Sequence, residues 1–328
     1  MKFFDKNFDS YNEKHLYYID SAIEKAKALY DSCICCGHLC KTDRNNNKIG
    51  RCKIFEDTNH IKVASHTLHF GEEPMLVGSS GSGTVFFSNC NLSCVFCQNY
   101  QISSEGIGEV IDLDTLSSYF LDLERVGANN INLVSATHVI YPVLKALKIA
   151  LLNGLNLPIV YNTNSYDTNE LLDCLNGIID IYLPDLKYFN NEKAIKYSRA
   201  ENYFDVAINA ITIMKNQVGD LIIDENDIAK SGIIIRHLIL PNNESDSYDI
   251  LIELKERGFL NSYISLMSQY SPEFMAKDYD NINRKLYVKE YNEVLNFALD
   301  LGFENILGQK IESSENYLPD FRKDKPFE

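Results

Sequence analysis

Val85-Phe86-Phe87-Ser88-Asn89-Cys90-Asn91-Leu92-Ser93-Cys94-Val95-Phe96-Cys97-Gln98-Asn99 is the stretch that decides how this chain is read. An apolar, β-prone run ends at Phe87 and gives way to a polar loop carrying C-x3-C-x2-C. Three thiols lie close together with no fourth cysteine nearby. Four thiolates saturate an iron–sulfur cluster, one per iron. Three leave one iron of a [4Fe–4S] cluster open, much as a catalytic metal keeps an open position. The spacing therefore points to reactivity. The competing readings are a zinc site completed by His66, His69 or His138, and three free cysteines packed as small hydrophobes. Asn89, Asn91, Ser93 and Gln98 make the loop polar and weigh against the second of these.

Outward from this loop, strands and helices alternate. Strands are expected at 84–88, 130–135, 158–162, 178–184, 233–240 and 263–267. Helices are expected at 112–126, 140–153, 168–175, 203–217, 246–257 and 287–301, with an earlier one from Tyr17 to Tyr30. The strands are short and apolar on both faces, as in Ile178, Ile179, Ile181 and Leu183. That is the pattern of a parallel sheet built from βαβ units. Six strands are too few for a closed eight-stranded barrel and suit a partial (β/α)6 barrel of α/β class. In such folds the active site lies at the carboxyl ends of the strands, which is where the three-cysteine loop falls. Gly78-Ser79-Ser80-Gly81-Ser82-Gly83 is expected to be a flexible approach to the first strand, and Gln309 to Glu328 an irregular surface tail.

The 328 residues carry a formal charge of −15, which argues against a nucleic-acid partner, since phosphate binding needs clustered Lys and Arg. The long apolar stretch from Ile140 to Tyr161 is interrupted by Lys145, Lys148, Asn153 and Pro158, so no membrane partner is expected. Nor does an apolar signal core follow Met1. A cytoplasmic location is expected, where nine cysteines read as metal ligands and not disulfides.

C-x3-C-x-aromatic-C after a first strand, with Phe96 as the aromatic, is similar to the signature of radical S-adenosylmethionine (SAM) enzymes. The longer run from Gly81 to Cys94 resembles the pyruvate formate-lyase activating-enzyme-like branch, within a paralogous group of it. The likeness extends from about Cys33 to Leu318. It implies that Cys90, Cys94 and Cys97 hold a [4Fe–4S] cluster whose open iron is chelated by the amino and carboxylate groups of SAM. It also implies that an electron from the reduced cluster splits SAM to methionine and a 5′-deoxyadenosyl radical. Phe96 would lie beside the adenine, and a flavodoxin- or ferredoxin-type reductant would supply the electron.

The same resemblance distributes further SAM contacts over the strand ends. Where many members have Gly-Gly-Glu after the second strand, this chain has Ser135-Ala136-Thr137-His138, so Thr137 and His138 are candidate replacements. For His138, helix capping or packing is an equally weighted reading. Asn162-Thr163-Asn164-Ser165 stands where the branch has Asp-Thr-Asn-Gly, whose Asp and Thr help hold a monovalent cation; Asn162 lacks the charge, though its amide oxygen can coordinate. A simple turn and a Thr168 helix cap is the alternative. Asp185-Leu186-Lys187 matches the Asp-x-Lys pair, aimed at the cation or SAM and at the SAM carboxylate. Arg236, on an apolar strand face, would meet SAM or form an ion pair with Asp180 or Asp185. His237 points the other way and is expected to pack.

A second set, Cys33, Cys36, Cys40 and Cys52, forms C-x2-C-x3-C-x11-C, with Cys35 competing for the place of Cys36. Four thiols can close a zinc site or hold a second iron–sulfur cluster. Residues 1–75 are thus expected to form a small N-terminal Cys-rich segment of helix and metal site, with the barrel and tail in 76–328. Cys174, among leucines, is expected in the core. Glu72-Glu73 is expected in a solvated loop.

The leading function is hydrogen-atom abstraction by a radical SAM enzyme from a protein, peptide or small molecule, with a glycyl-radical enzyme as one protein substrate. A peptide-modifying radical SAM enzyme is the second reading. A non-catalytic iron–sulfur or zinc protein for electron transfer or assembly is the third. Asp185, Lys187 and Arg236 around an open iron favour catalysis over the third.

Overall fold

Residues whose side chains alternate between two apolar environments form strands, and residues with one apolar stripe form the helices that cover them. The computed structural model describes residues 8–309, 318–323 and 325–327. In chain order the elements are α1 (Tyr11–Asp31), β1 (His60–His69), α2 (Pro74–Val77), β2 (Ser82–Phe87), α3 (Tyr100–Ser103), β3 (Glu109–Asp112), α4 (Leu113–Arg125) and β4 (Ile131–Val134). There follow α5 (Ile140–Leu152), β5 (Ile159–Thr163), α6 (Asn169–Leu175), β6 (Ile181–Pro184), α7 (Asn191–Ser198), α8 (Tyr203–Val218) and β7 (Ile222–Ile223). The remaining elements are β8 (Ala229–Leu238), α9 (Ser247–Glu256), β9 (Tyr263–Met267), α10 (Val288–Leu301) and β10 (Ile306–Gly308).

Strands β2, β4, β5, β6, β8, β9 and β10 are neighbours in that order and every adjacent pair is parallel. Sequential parallel order with helical crossovers is the winding of a partial barrel. The expected six strands form its centre, and β10 adds a short seventh that the sequence pattern did not show. Strand β1 pairs antiparallel with both β2 and β3, extending the sheet beyond the barrel strands. The expected flexible approach is corrected here: Ser82 and Gly83 belong to β2. A Cβ on Gly83 would come 2.6 Å from the Asn130 carbonyl oxygen, so this glycine permits close packing between β2 and its neighbour.

Along the inner face, Val160, Ile181, Leu183, Ala229 and Ile234 form one buried apolar cluster. Leu76 of α2 inserts among them, so the segment between β1 and β2 plugs the barrel from within. Two residues further along the same strands, on the same face, stand Asn162, Asp185 and Arg236. The plug thus sets the floor of a polar layer. A larger outer core joins the opposite sheet face to the helices and includes residues of α1 and the cysteines at 33, 35 and 36. Helix α1 is held by Asp180, fully buried, which pairs with Lys14 at 2.7 Å and His15 at 2.9 Å. Cys174 lies in this core, as expected, and donates to the Ala22 carbonyl at 3.0 Å.

The tail differs from expectation in part. Residues 310–317 lie outside the described residues, but Phe321 is buried against Phe86, and its amide donates to Gln101. The tail is irregular yet anchored by an apolar contact.

Candidate active site

The loop after β2 is held at several points by its own backbone. The Ser88 amide donates to the Lys62 carbonyl, Val95 donates to Tyr197, and Val95 in turn accepts from Met275. These bonds aim three thiols at one cavity while giving each a different partner. Cys90 accepts from the Leu92 amide at 3.4 Å and from the Asn164 side chain at 3.7 Å. Cys94 accepts from the Ser198 hydroxyl at 3.0 Å. Cys97 shares a hydrogen bond of 3.1 Å with Ser103. Burial pushes the Cys90 thiol up to about 12 and the Cys97 thiol up to about 11, and proximity to Cys94 reinforces both.

The cavity has a volume of about 240 Å³ and is lined by these cysteines together with Phe96, Asn162, Thr163, Asp185, Lys187 and Arg236. The polar side is one connected network. Arg236 Nε donates to Asp185 at 2.8 Å, and a second nitrogen donates to the Asn162 amide oxygen. Lys187 Nζ donates to the other Asp185 oxygen at 2.6 Å. Burial opposes the ionisation of Asp185, but Arg236 and Lys187 outweigh it and hold this carboxyl below the usual range. Phe96 is buried and packs edge-on against Tyr188 and Tyr270. Thr163 borders the cavity, yet its hydroxyl donates to Asp167.

Two expected contacts lie elsewhere. Thr137 is fully buried, donates to Asp167 at 2.8 Å and shares a bond of 2.9 Å with the Tyr161 hydroxyl. His138 Nε2 meets the Ser88 carbonyl at 2.8 Å. Both face the N-terminal cysteine pocket and not the cavity, because the chain after Ser135, itself at φ 55°, winds into a short 3-10 turn that rotates them away. His237 packs as expected, bonded to the Leu186 carbonyl and Ser247.

Glu72 is the residue that sequence reasoning misplaced. It is no solvated loop residue: it borders the cavity, is mostly shielded and lies 3.4 Å from Arg236, while neighbouring Glu73 is buried. The apolar run Met75-Leu76-Val77 just after Pro74 was the signal, since a buried plug carries its flanking residues inward. Asn164, another polar residue of the site, bonds both Cys90 and Asn91.

Cys33, Cys35, Cys36, Cys40 and Cys52 line a second, smaller pocket with His38, Arg44 and Arg51. Hydrogen bonding to Cys35 lowers the Cys33 thiol to about 5, whereas burial raises Cys36 to about 12. This segment is tied to the turn after β5 through Gly37 and Thr168. His38 meets the carbonyl of Asn91 at 2.9 Å, so the second pocket abuts the residue next to Cys90. Among the described residues, no group of three or more His, Cys, Asp or Glu is drawn together tightly enough to hold a single metal ion.

Residues 84–224 match the radical SAM superfamily model, and those residues contain the three-cysteine loop and the Asp185–Lys187 pair. Over 305 residues the chain is 32% identical to the uncharacterized protein MJ0674 of Methanocaldococcus jannaschii, covering 89% of this chain and 83% of that one. The chain belongs to the radical SAM superfamily.

Solved structures similar to it include TYW1 with a lysine-pyruvate adduct bound, at 15% identity and a TM-score of 0.46, covering 70% of this chain and 77% of that one. The FeFe-hydrogenase maturase HydG from Carboxydothermus hydrogenoformans is another, at 12% identity and a TM-score of 0.48, covering 70% of this chain and 54% of HydG. Membership of the superfamily implies a [4Fe–4S] cluster and SAM. The residues present fit them: three thiols, and no fourth cysteine, border one cavity, and the cations Lys187 and Arg236 stand in it beside Asp185. Among the described residues, no helix is long and apolar enough to cross a membrane.

Proposed function

We propose that this radical SAM enzyme abstracts a hydrogen atom from a protein or peptide substrate, with a glycyl-radical enzyme as the first substrate to test. The observation that carries the catalytic part is the convergence of Cys90, Cys94 and Cys97 on a cavity shared with Asp185, Lys187 and Arg236. The choice of a glycyl-radical enzyme rests on the resemblance of the Gly81–Cys94 run to activating enzymes.

In this reading the three cysteines hold the cluster. Bound cluster and SAM supply the one-electron cleavage that yields methionine and the 5′-deoxyadenosyl radical, with a flavodoxin- or ferredoxin-type protein as electron donor. Lys187 and Arg236 offer cations to the SAM carboxylate, and Asp185 fixes both. Arg236 occupies the amide oxygen of Asn162, the position expected to face a monovalent cation, so the guanidinium takes the place of that ion. Phe96, which lines the cavity, would lie beside the adenine. Leu238, Met267 and Phe327 line an apolar side of the cavity, where they would limit the access of water to a reactive radical.

The test is anaerobic reconstitution with iron and sulfide, reduction, and measurement of 5′-deoxyadenosine from SAM. Wild type must exceed a Cys94→Ala variant, or the enzymatic reading fails. Incubation with a glycyl-radical enzyme and electron paramagnetic resonance then tests the substrate: no glycyl radical removes that assignment while leaving the cleavage chemistry intact.

A further inference from the structure

The cysteine-rich segment differs in charge from the chain around it. Between Cys33 and Phe55 stand Lys41, Arg44, Lys48, Arg51 and Lys53 against the single carboxylate of Asp43, whereas the whole chain carries −15. Arg44 is buried and lies over the Tyr30 ring, but Lys41, Lys48, Arg51 and Lys53 are exposed. Exposed cations elsewhere have carboxylate partners, as in Lys25–Asp173, Lys148–Asp20 and Arg322–Glu105. Among the described residues, these four form no such ion pair. Asp43 is instead bonded by the amide and side chain of Asn46. The cations surround exposed apolar groups: Leu39, Ile49 and Phe55 are 50%, 54% and 69% exposed. Backbone bonds from Lys41 to Cys33, Lys48 to Asp43 and Lys53 to Gly50 fold the segment tightly on itself.

This segment touches the active loop on both sides of Cys90. The Asn89 side chain donates to the Lys53 carbonyl at 3.4 Å, and His38 meets the Asn91 carbonyl at 2.9 Å. Yet none of its residues lines the active cavity. A hydrogen atom passes only between groups in contact, so a group bound on this segment is not the one attacked. An electron can cross intervening protein and needs only a donor held near Cys90.

We infer that the exposed surface of residues 39–55 is the docking face for an acidic one-electron carrier protein. The inference rests on the radical SAM reading above and locates where its electron enters. One electron leaves the carrier and reduces the cluster held by Cys90, Cys94 and Cys97; no proton or bond is transferred. The acidic remainder of the chain repels an acidic partner, so its approach is steered to this segment. Cations around a few apolar side chains suit the small, transient contacts of redox partners.

Anaerobically reconstituted protein is titrated calorimetrically with an acidic flavodoxin and with an acidic ferredoxin. Cluster reduction by each reduced carrier, and by dithionite, is followed as bleaching of the cluster absorbance. Lys41→Glu/Lys48→Glu/Lys53→Glu should bind the carriers at least about tenfold more weakly and be reduced by them correspondingly more slowly. Dithionite, too small to need a docking face, should reduce it at about the wild-type rate. Lys25→Glu/Lys255→Glu/Lys289→Glu changes the net charge equally on α1, α9 and α10 and should behave nearly as wild type. Equal losses in both variants, no loss in the first, or an equal loss with dithionite overturns the assignment. So does wild type that binds neither carrier. Transfer RNA bound more tightly than either carrier, and released in the first variant, would make this a nucleic-acid surface and overturn it too. Wild type that is reduced by a carrier but cleaves no SAM overturns the radical SAM reading instead and leaves the docking face standing.

Discussion

Arg236 is bonded to three side chains that come from different parts of the chain: Asp185 after β6, Asn162 on β5 and Glu72 before α2. Removing it leaves Glu72 without its cation and Asp185 with Lys187 alone, and breaking a buried pair costs up to about 3–5 kcal/mol. Arg236→Gln should therefore lower unfolding free energy by about that amount and weaken SAM binding, measured by denaturant titration and calorimetry. Thr137→Val separates the two roles that sequence left joined. Thr137 bonds Asp167, whose carboxyl burial pushes up to about 6, and not the cavity. The variant should lose about 1–3 kcal/mol of stability with SAM affinity unchanged, and a changed affinity would return Thr137 to the site. Spacing made the three cysteines legible because the chemistry needs them in one short loop. Glu72 was not legible, because whether a Glu-Glu pair is solvated depends on where the following Leu76 is buried, which is a property of the assembled sheet.

Among the elements, the βα crossovers were read closely from their apolar periodicity. Helix α4 spans Leu113–Arg125, against an expected 112–126, and begins at Asp112, whose carboxylate accepts from the Thr115 amide at 2.8 Å. Strand β1 and helix α7 were not read. Strand β1 alternates weakly, with polar or half-buried residues through most of its length, because it lies beyond the barrel and has only one neighbour face to satisfy. Helix α1 was found but begins earlier, at Tyr11, because the Ser10 hydroxyl accepts from the Glu13 amide. Its attachment through Asp180 gives a pH prediction. Burial opposes ionisation of Asp180, but His15 and Lys14 more than offset that and hold its carboxyl below the ordinary value. A depressed folded-state pKa stabilises the protein above the unfolded value, about 3.9, and that stability is lost as pH falls through it toward the folded value. Unfolding midpoints in urea should therefore drop between about pH 5 and pH 3, and Asp180→Asn should flatten that drop. An undiminished slope in the variant would show that α1 is held by other means.

At the scale of the whole molecule, two cysteine pockets lie side by side, joined through Asn91, whose carbonyl meets His38 and whose side-chain oxygen meets Asn164. The first is open to the cavity, whereas the second is enclosed by residues of the N-terminal segment and by Thr137 and His138. A fold in which residues before β2 both plug the barrel and flank the active loop ties any metal in that segment to the geometry of Cys90. Sequence showed the thiols of the second set but not this adjacency, since Cys33 and Asn91 are brought together only by the sheet. The metal content of the second pocket is thus measurable through its neighbour. Purified, reconstituted protein is assayed for iron, zinc and sulfide per chain, and compared with a Cys33→Ser/Cys36→Ser variant. If the pocket holds a second [4Fe–4S] cluster, the variant should contain about four iron atoms fewer. If it holds zinc, the variant should lose about one zinc with iron unchanged. In either case Cys90→Ser should leave the content of the second pocket intact, because the two sets share no ligand. Unchanged metal content in the double variant would mean that these cysteines bind no metal, leaving the Arg44 guanidinium, 4.0 Å from Cys33, as the charged neighbour of that thiol.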